Sequence, residues 1–174
     1  MNRQEILTLT GEKDVIAAAE AVQRYGVEYV VMTFSNGSRA ADLLRQSVGH
    51  ISGNRAFEDA KADLFSAAIL HRGRCEFVPA SPVALPGDHE TTGAGDAFAA
   101  GVLWGFLQGY STRVWGYIGQ TMARSCIQKR GARAGVPGRD DLHKLYQSLF
   151  NHRLEDADAV LTEERAPALL LNNR

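Results

Sequence analysis

The sequence Glu90-Thr91-Thr92-Gly93-Ala94-Gly95-Asp96-Ala97-Phe98 is followed directly by an apolar, glycine-containing run over residues 99–107. Two glycines separated by one alanine allow a tight backbone turn and the close approach of a ligand, because a glycine carries no Cβ. A helix that begins near Gly93 leaves its first amides without intrahelical partners, at the positive end of the helix dipole. The stretch therefore indicates an anion site at a helix N-terminus.

Asp96 stands at the edge of this turn. A carboxylate in the first helical turn can take a proton from an attacking hydroxyl while the amides hold a phosphoryl group. A structural alternative exists, in which Thr91 or Thr92 caps the helix, the glycines form a turn and Asp96 only complements the dipole. The residues alone leave both interpretations open.

The whole string closely resembles the signature of the ribokinase-like (PfkB) carbohydrate kinases. The resemblance implies that the amides of Gly93, Ala94 and Gly95 form an anion hole and that Asp96 is the catalytic base. One departure concerns the residue that opens the motif, which is usually an Asp and is Glu90 here. That residue helps to shape the site in relatives, so the departure affects the geometry and leaves the base in place.

The resemblance also implies the fold, a ribokinase-like three-layer α/β sandwich with a mostly parallel sheet and helices on both faces, truncated at its N-terminus. The chain order agrees, because residues 12–25 have the apolar spacing of a helix and residues 27–33 are a mostly apolar, β-branched run of strand length. Residues 1–150 are predicted to be the nucleotide-binding and catalytic half of such a kinase. Residues 39–67 are interpreted as an insertion, and residues 151–174 as a tail that frays or docks weakly.

Further elements are predicted from local patterns. Arg72-Gly73 reads as the turn of a hairpin, and residues 82–86 as an extended edge strand. Helices are expected from Ser111 through residue 129 and over residues 140–150. Gly101 and Gly105, four positions apart, indicate a helix face packed closely on a neighbour.

Four residues are candidate nucleotide contacts by the resemblance. Thr33 and Gly37 lie where family members carry a Thr-x-Gly-x-x-Gly-like loop beside the nucleotide, and Gly131 and Ala132 match a Gly-Ala pair at the adenine end of the cleft. Ordinary turns account for both places as well, one around Asn36 after a strand and one after a helix.

Asn2 and Glu5 fall where the family has an Asn-x-x-Glu motif that helps to order magnesium and phosphate, so the resemblance assigns them provisionally to a metal site. In isolation, such a pair at a polar N-terminus usually lies in a solvated loop. The implied cofactors are ATP and Mg²⁺. Some relatives use a monovalent cation near the signature, and no residue here decides whether this chain does.

Composition excludes several classes of function. The net charge of −1 over 174 residues offers no electrostatic basis for binding nucleic acid or an anionic membrane. No run approaches the ~20 apolar residues that span a bilayer, and no secretion signal opens the chain, so a cytoplasmic protein is expected. Cys75 and Cys126 have no metal or redox spacing, which favours buried or idle thiols.

The predicted function is ATP-dependent phosphoryl transfer to a sugar hydroxyl, the reaction of a sugar kinase, with ATP and a small sugar as ligands. Because relatives reach the Asn-x-x-Glu motif midway along their chains, the sugar-selecting half is expected to be absent. The chain alone is therefore expected to bind ATP–Mg²⁺ weakly without appreciable sugar kinase activity. The alternative is a catalytically silent nucleotide-binding or protein-association module derived from such a kinase.

Two further expectations follow from the resemblance and the turn. An open sheet edge would template pairing with another copy or with a partner chain. Gly95→Val is expected to weaken both phosphate binding and folding, since a branched side chain would obstruct the anion and strain the backbone.

A dinucleotide-binding oxidoreductase is less consistent with the residues, because the turn is not Gly-x-Gly-x-x-Gly.

Overall fold

Residues 1–39, 64–80 and 90–151 are the part of the chain that the computed structural model describes. The chain divides into two units, Met1–Pro82 and Val83–Arg174. The predicted edge strand at residues 82–86, most of the predicted insertion and the predicted tail after residue 151 lie outside the described residues.

In its described part, the first unit contains two helices followed by three strands: α1 (Arg3–Thr10), α2 (Val15–Gln23), β1 (Tyr29–Arg39), β2 (Leu64–His71) and β3 (Arg74–Pro79). Asp14 caps α2, because its Oδ1 accepts the amides of Ile16 at 2.9 Å and Ala17 at 2.8 Å. This helix confirms the one predicted within residues 12–25.

The three strands form one sheet in the order β1-β2-β3, with antiparallel neighbours. Arg72 and Gly73 join β2 to β3, and both have positive φ, 47° and 76°. Two successive positive φ values are those of a type I′ turn, whose twist matches that of the flanking strands. The predicted hairpin is therefore confirmed, and a two-residue connection requires its strands to be antiparallel.

The predicted sheet should contain parallel pairing. Among the described residues of the first unit, such pairing is present as one isolated bridge between Asn2 and Thr33. The amide of Thr33 donates to the Met1 carbonyl at 2.9 Å, and the Met1 ammonium donates to the Val31 carbonyl at 3.0 Å. The chain passes from this bridge through α1 and α2 before it returns as β1, a crossover of the kind that parallel pairing needs.

β1 is longer than its sequence pattern predicts. The strand continues to Arg39, and its pairing with β2 shifts register between Thr33 and Ser38, where β1 carries extra residues. The predicted strand-ending turn around Asn36 is therefore wrong. A bulge takes up the extra residues there, and bulges of this kind occur frequently beside functional sites.

The core of the first unit lies between the helices and the sheet. Its side chains come from α1, α2 and all three strands. Six large ones are at most 1% exposed: Ile6, Ile16, Met32, Phe65, Leu70 and Phe77. Cys75 is also buried there, as the sequence predicted.

The second unit consists, in its described part, of α3 (Ala94–Leu107), α4 (Thr112–Ile127) and α5 (Arg139–Asn151). These helices confirm the three predicted from the sequence, and Ser111 is the N-cap residue of α4. A Cβ on Gly101 would lie 2.8 Å from the Cα of Gly119, so α3 and α4 meet backbone to backbone. This contact confirms the close packing predicted for the α3 glycines.

The core of the second unit joins all three helices through Ala97, Ile118, Met122, Cys126 and Leu142. Cys126 is 1% exposed, which confirms the predicted burial of the second thiol. Among the helices formed by residues 1–39, 64–80 and 90–151, none has the length and apolar character required to cross a membrane.

Candidate functional site: the N-terminus of α3 and the Gly131 turn

α3 begins at a left-handed glycine. Gly93 is the N-cap residue, with φ 81° and ψ −6°. The Ala94 amide donates to the Thr91 carbonyl at 3.1 Å, and the Ala97 amide makes the first helical bond to the Gly93 carbonyl at 2.9 Å. Residues 90–96, called the signature turn below, thus reverse the chain and lead directly into the helix.

The signature turn presents two first-turn amides, those of Gly95 and Asp96. Helix geometry gives neither an intrahelical acceptor, and none is found in the three described stretches of the chain. The positive end of the 14-residue α3 lies at the same place, which favours an anion. Among the predicted anion-hole residues, Gly95 presents such an amide, Gly93 provides the left-handed turn, and Ala94 uses its amide inside the turn.

Asp96 is exposed and lies in the first turn of α3. Its carboxylate is therefore reachable by a ligand held at the neighbouring amides. In this position, the Asp96 carboxylate can act as a base that takes a proton from a bound hydroxyl. It can equally well have the structural role of a negative charge that complements the dipole of α3.

Gly95 does not have the steric role expected of it. Among the described residues, no atom lies within 4 Å of a Cβ built on Gly95, and the φ of Gly95 is outside the left-handed region. The described residues therefore give no steric or left-handed basis for the predicted folding cost of Gly95→Val. Gly93 is the residue with that requirement, because a Cβ there would lie 2.5 Å from the Ala132 carbonyl oxygen.

The contact between Gly93 and Ala132 brings two predicted sites together. Gly131 and Ala132 form the turn after α4, called the Gly131 turn, which the family resemblance places at the adenine end of the cleft. The Cα and Cβ of Ala132 would each lie 3.0 Å from a Cβ on Gly93. The predicted phosphate site and the predicted nucleotide turn are thus neighbours within one unit.

Two side chains reinforce this contact. Glu90 is half-buried, and its Oε2 accepts the Gly131 amide at 3.2 Å. The Cys126 thiol donates to the Ala132 carbonyl at 3.3 Å and lies 3.7 Å from the Thr92 carbonyl. From the sequence, Glu90 is interpreted as a departure from the family motif, and Cys126 as a buried or idle thiol. No local signal reveals either contact, because Glu90 and Gly131 are 41 positions apart.

In the first unit, Asn2 and Glu5 bond to each other's backbone. Asn2 Oδ1 accepts the Glu5 amide at 2.9 Å, and Glu5 Oε2 accepts the Asn2 amide at 2.8 Å. This reciprocal pair is a capping box at the start of α1. An Asn followed three residues later by Glu is its sequence signal, which the interpretation as a loop or metal site overlooked.

The same two residues fit a metal only in part. Glu5 is exposed, but one of its carboxylate oxygens is engaged by the cap, as is the side-chain oxygen of Asn2. Within the described ranges, no three His, Cys, Asp or Glu side chains are grouped as a metal would require. Mg²⁺ commonly keeps several waters and phosphate oxygens with one or two carboxylates, so Glu5 suits a partial role.

Thr33 and Gly37, the remaining nucleotide candidates, both lie within β1. Thr33 pairs with Ala67 on one side and bridges Asn2 on the other, so the structure brings Thr33 and Asn2 together. Gly37 lies in the bulged part of the strand, between Thr33 and Ser38.

Comparison with known proteins identifies similar chains. Residues 65–139, which include the signature turn and the Gly131 turn, match the pfkB family carbohydrate kinase profile. An uncharacterized sugar kinase from Archaeoglobus fulgidus is 52% identical over 48 residues, which are 28% of this chain and 19% of that protein.

Solved structures share the fold. A probable sugar kinase from Rhizobium etli CFN 42 superposes with a TM-score of 0.57 at 26% identity, over 84% of this chain and 34% of its own. A putative ribokinase II from E. coli, solved with ATP and Mg²⁺, gives 0.60 at 16% identity, over 84% of this chain and 38% of its own. The chain thus spans little more than a third of these structures. The predicted resemblance to ribokinase-like (PfkB) kinases and the predicted ribokinase-like α/β fold are confirmed.

Proposed function

We propose that this relative of the pfkB carbohydrate kinases contains the phosphate-binding turn and the catalytic base of an ATP-dependent sugar kinase. One observation supports the proposal most directly: the first-turn amides and exposed carboxylate of α3 adjoin the Gly131 turn, which packs against Gly93. The proposed phosphate site and the proposed nucleotide turn are therefore contiguous.

In the proposed reaction, the carboxylate of Asp96 accepts the proton of a sugar hydroxyl while the hydroxyl oxygen bonds to the γ-phosphorus of ATP. The bond from the γ-phosphorus to its bridging oxygen breaks, and ADP leaves. The amides of Gly95 and Asp96, together with the dipole of α3, stabilise charge on the phosphoryl oxygens. The exposed position of Asp96 gives the hydroxyl access.

Magnesium, when bound with ATP, would neutralise phosphate charge. Glu5 would contribute through the carboxylate oxygen that the capping box leaves, and Asn2 would orient Glu5 through the same box. Thr33, Gly37, Gly131 and Ala132 are the proposed nucleotide contacts. A monovalent cation remains a prediction of the resemblance.

Calorimetric titration tests the nucleotide class. The 174-residue chain should bind ATP–Mg²⁺ in preference to NADH, and Gly93→Ala should weaken that binding because it disturbs both turns. Preference for NADH, or equal indifference to both nucleotides, would contradict the proposal.

A second candidate is a catalytically silent module that binds nucleotide or associates with another protein. This candidate is supported by the fact that the chain spans little more than a third of the length of its structural relatives. It predicts ATP–Mg²⁺ binding whose strength is unaffected by any sugar, and no sugar-dependent ADP release from any preparation of the chain.

A further inference from the structure

Glu90 joins two turns that are distant in sequence. Glu90 is the first residue of the signature turn, and its Oε2 accepts the Gly131 amide at 3.2 Å. Gly131 has φ 98°, a left-handed conformation, and its turn places Ala132 against Gly93. The hydrogen bond therefore lies beside the contact between the proposed phosphate site and the proposed nucleotide turn.

We propose that Glu90 is a positioning residue that sets the spacing between these two turns through its length and its acceptor oxygen, with its charge unused. The proposal rests on the proposed function for its consequence in nucleotide binding. Its structural part, the bond to the Gly131 amide, can be measured without any nucleotide.

The chemistry of the bond supports a role for length over charge. The donor is a neutral backbone amide, which needs an acceptor oxygen and can use the carbonyl oxygen of Gln as well as a carboxylate. Asp keeps the charge but is one methylene shorter, about 1.3 Å in reach. The present distance from the Gly131 amide to Oε2 is 3.2 Å, so the shorter side chain would leave its oxygen beyond hydrogen-bond distance of that amide.

The two turns cannot easily move together to recover the lost bond. A Cβ on Gly93 would already lie 2.5 Å from the Ala132 carbonyl oxygen, so the turns are as close there as the absence of a side chain allows. The buried Cys126 thiol lies between the carbonyls of Thr92 and Ala132 and occupies the space on that side. A shorter residue at position 90 should therefore leave the Gly131 amide without its acceptor.

The test compares Glu90→Gln, Glu90→Asp and Glu90→Ala in the 174-residue chain. Glu12, in the loop between α1 and α2, receives the same Gln and Asp changes as a matched control. ATP–Mg²⁺ affinity is measured by calorimetry, melting temperature by circular dichroism, and the Gly131 amide by its proton chemical shift and hydrogen exchange.

We expect Glu90→Gln to keep the Gly131 amide shift and to bind ATP–Mg²⁺ within about twofold of wild type. Glu90→Asp and Glu90→Ala should speed exchange of that amide and weaken binding about five- to tenfold, the effect of one lost hydrogen bond. Both Glu12 variants should behave as wild type does.

The opposite order, with Asp retaining affinity and Gln losing it, would show that charge at position 90 matters and would overturn the proposal. Unchanged Gly131 exchange in every Glu90 variant would overturn it as well. If wild type itself fails to bind ATP–Mg²⁺, the proposed function fails, whereas the Gly131 amide still decides whether Glu90 acts through its reach.

Discussion

Gly93 and Gly95 occupy the same short motif but have different physical requirements. Gly93 is left-handed and packs against the backbone of Ala132, whereas a Cβ on Gly95 would meet none of the described residues within 4 Å and its φ is not left-handed. One glycine is therefore required for folding, and the other for the approach of a ligand. Gly93 is needed for the turn, and the absence of a side chain at Gly95 matters only to what binds there.

Alanine at each glycine should therefore give different results. Gly93→Ala should lower the free energy of unfolding by about 2–4 kcal/mol, because the new Cβ would both strain the left-handed backbone and clash with the backbone of Ala132. Gly95→Ala should leave stability unchanged or raise it by up to ~1 kcal/mol, because alanine favours a helix. Both should weaken ATP–Mg²⁺ binding. Urea unfolding and calorimetry measure the two effects, and an equal stability loss at both positions would contradict this account.

Asp96→Asn should separate chemistry from binding. The amide cannot accept the hydroxyl proton, so sugar-dependent ADP release should disappear in a complete version of this protein that phosphorylates a sugar, while ATP–Mg²⁺ affinity should stay within a few-fold. A coupled ADP assay and nucleotide titration measure these outcomes, with Asp140→Asn on α5 as the control. Retention of most of the turnover would exclude Asp96 as the base.

Cys75 makes the stability of the first unit depend on pH. Its side chain is 5% exposed, and burial, with a smaller contribution from the charge of Glu76, raises the pKa of the Cys75 thiol far above its usual range. Below a pH of about 8.5, the thiol is protonated in both the folded and the unfolded chain, and above it only the unfolded chain ionises. The free energy of unfolding should therefore fall as pH rises.

Between pH 8 and pH 10, this thiol should lower the free energy of unfolding by about 2 kcal/mol. Urea unfolding of wild type and Cys75→Ala across that range measures the effect, because alanine removes the ionisable group. Parallel pH profiles for the two proteins would show that burial of Cys75 does not perturb its ionisation.

At the start of α1, one hydrogen-bonded pair can serve both structure and ligand binding. The capping box between Asn2 and Glu5 explains the helix start, and one Glu5 carboxylate oxygen is left for a ligand or water. The bridge from Asn2 to Thr33 then fixes the cap against β1. The position of Glu5 is thus determined by both the helix and the sheet.

Glu5→Gln should separate the two roles of α1. Gln at this position retains a capping box, so the free energy of unfolding should change by less than ~0.5 kcal/mol. If Glu5 assists magnesium, the ATP affinity of the variant should depend less on Mg²⁺ concentration than that of wild type. Titration of ATP at several Mg²⁺ concentrations measures this, with Glu12→Gln as the control. An unaltered Mg²⁺ dependence would restrict Glu5 to its cap.

For the molecule as a whole, we expect the 174-residue chain to bind ATP–Mg²⁺ weakly and to show no appreciable sugar kinase activity by itself. Precise placement of a hydroxyl against the γ-phosphoryl group can lower a barrier by ~7–11 kcal/mol. The chain spans little more than a third of its structural relatives, so we do not expect it to supply that placement alone. An ADP-coupled assay with common sugars measures this. Robust sugar-dependent turnover would show that this chain, alone or as an oligomer, positions the sugar.

The sequence by itself determined the features that short stretches encode. Helix starts at capping residues, the hairpin at Arg72 and Gly73, the burial of both cysteines and the glycine-rich start of α3 all follow from local conformational preference and apolar spacing. The family signature belongs to the same class, because it lies in one continuous turn.

Only the tertiary structure decided which turns meet. The bond from the Gly131 amide to Glu90 and the contacts of the Cys126 thiol with Thr92 and Ala132 depend on how α3 packs against α4. The different requirements of the two signature glycines follow from the same packing. Local preference sets the shape of each turn, but the distance between turns far apart in sequence is set by the core that holds their helices together.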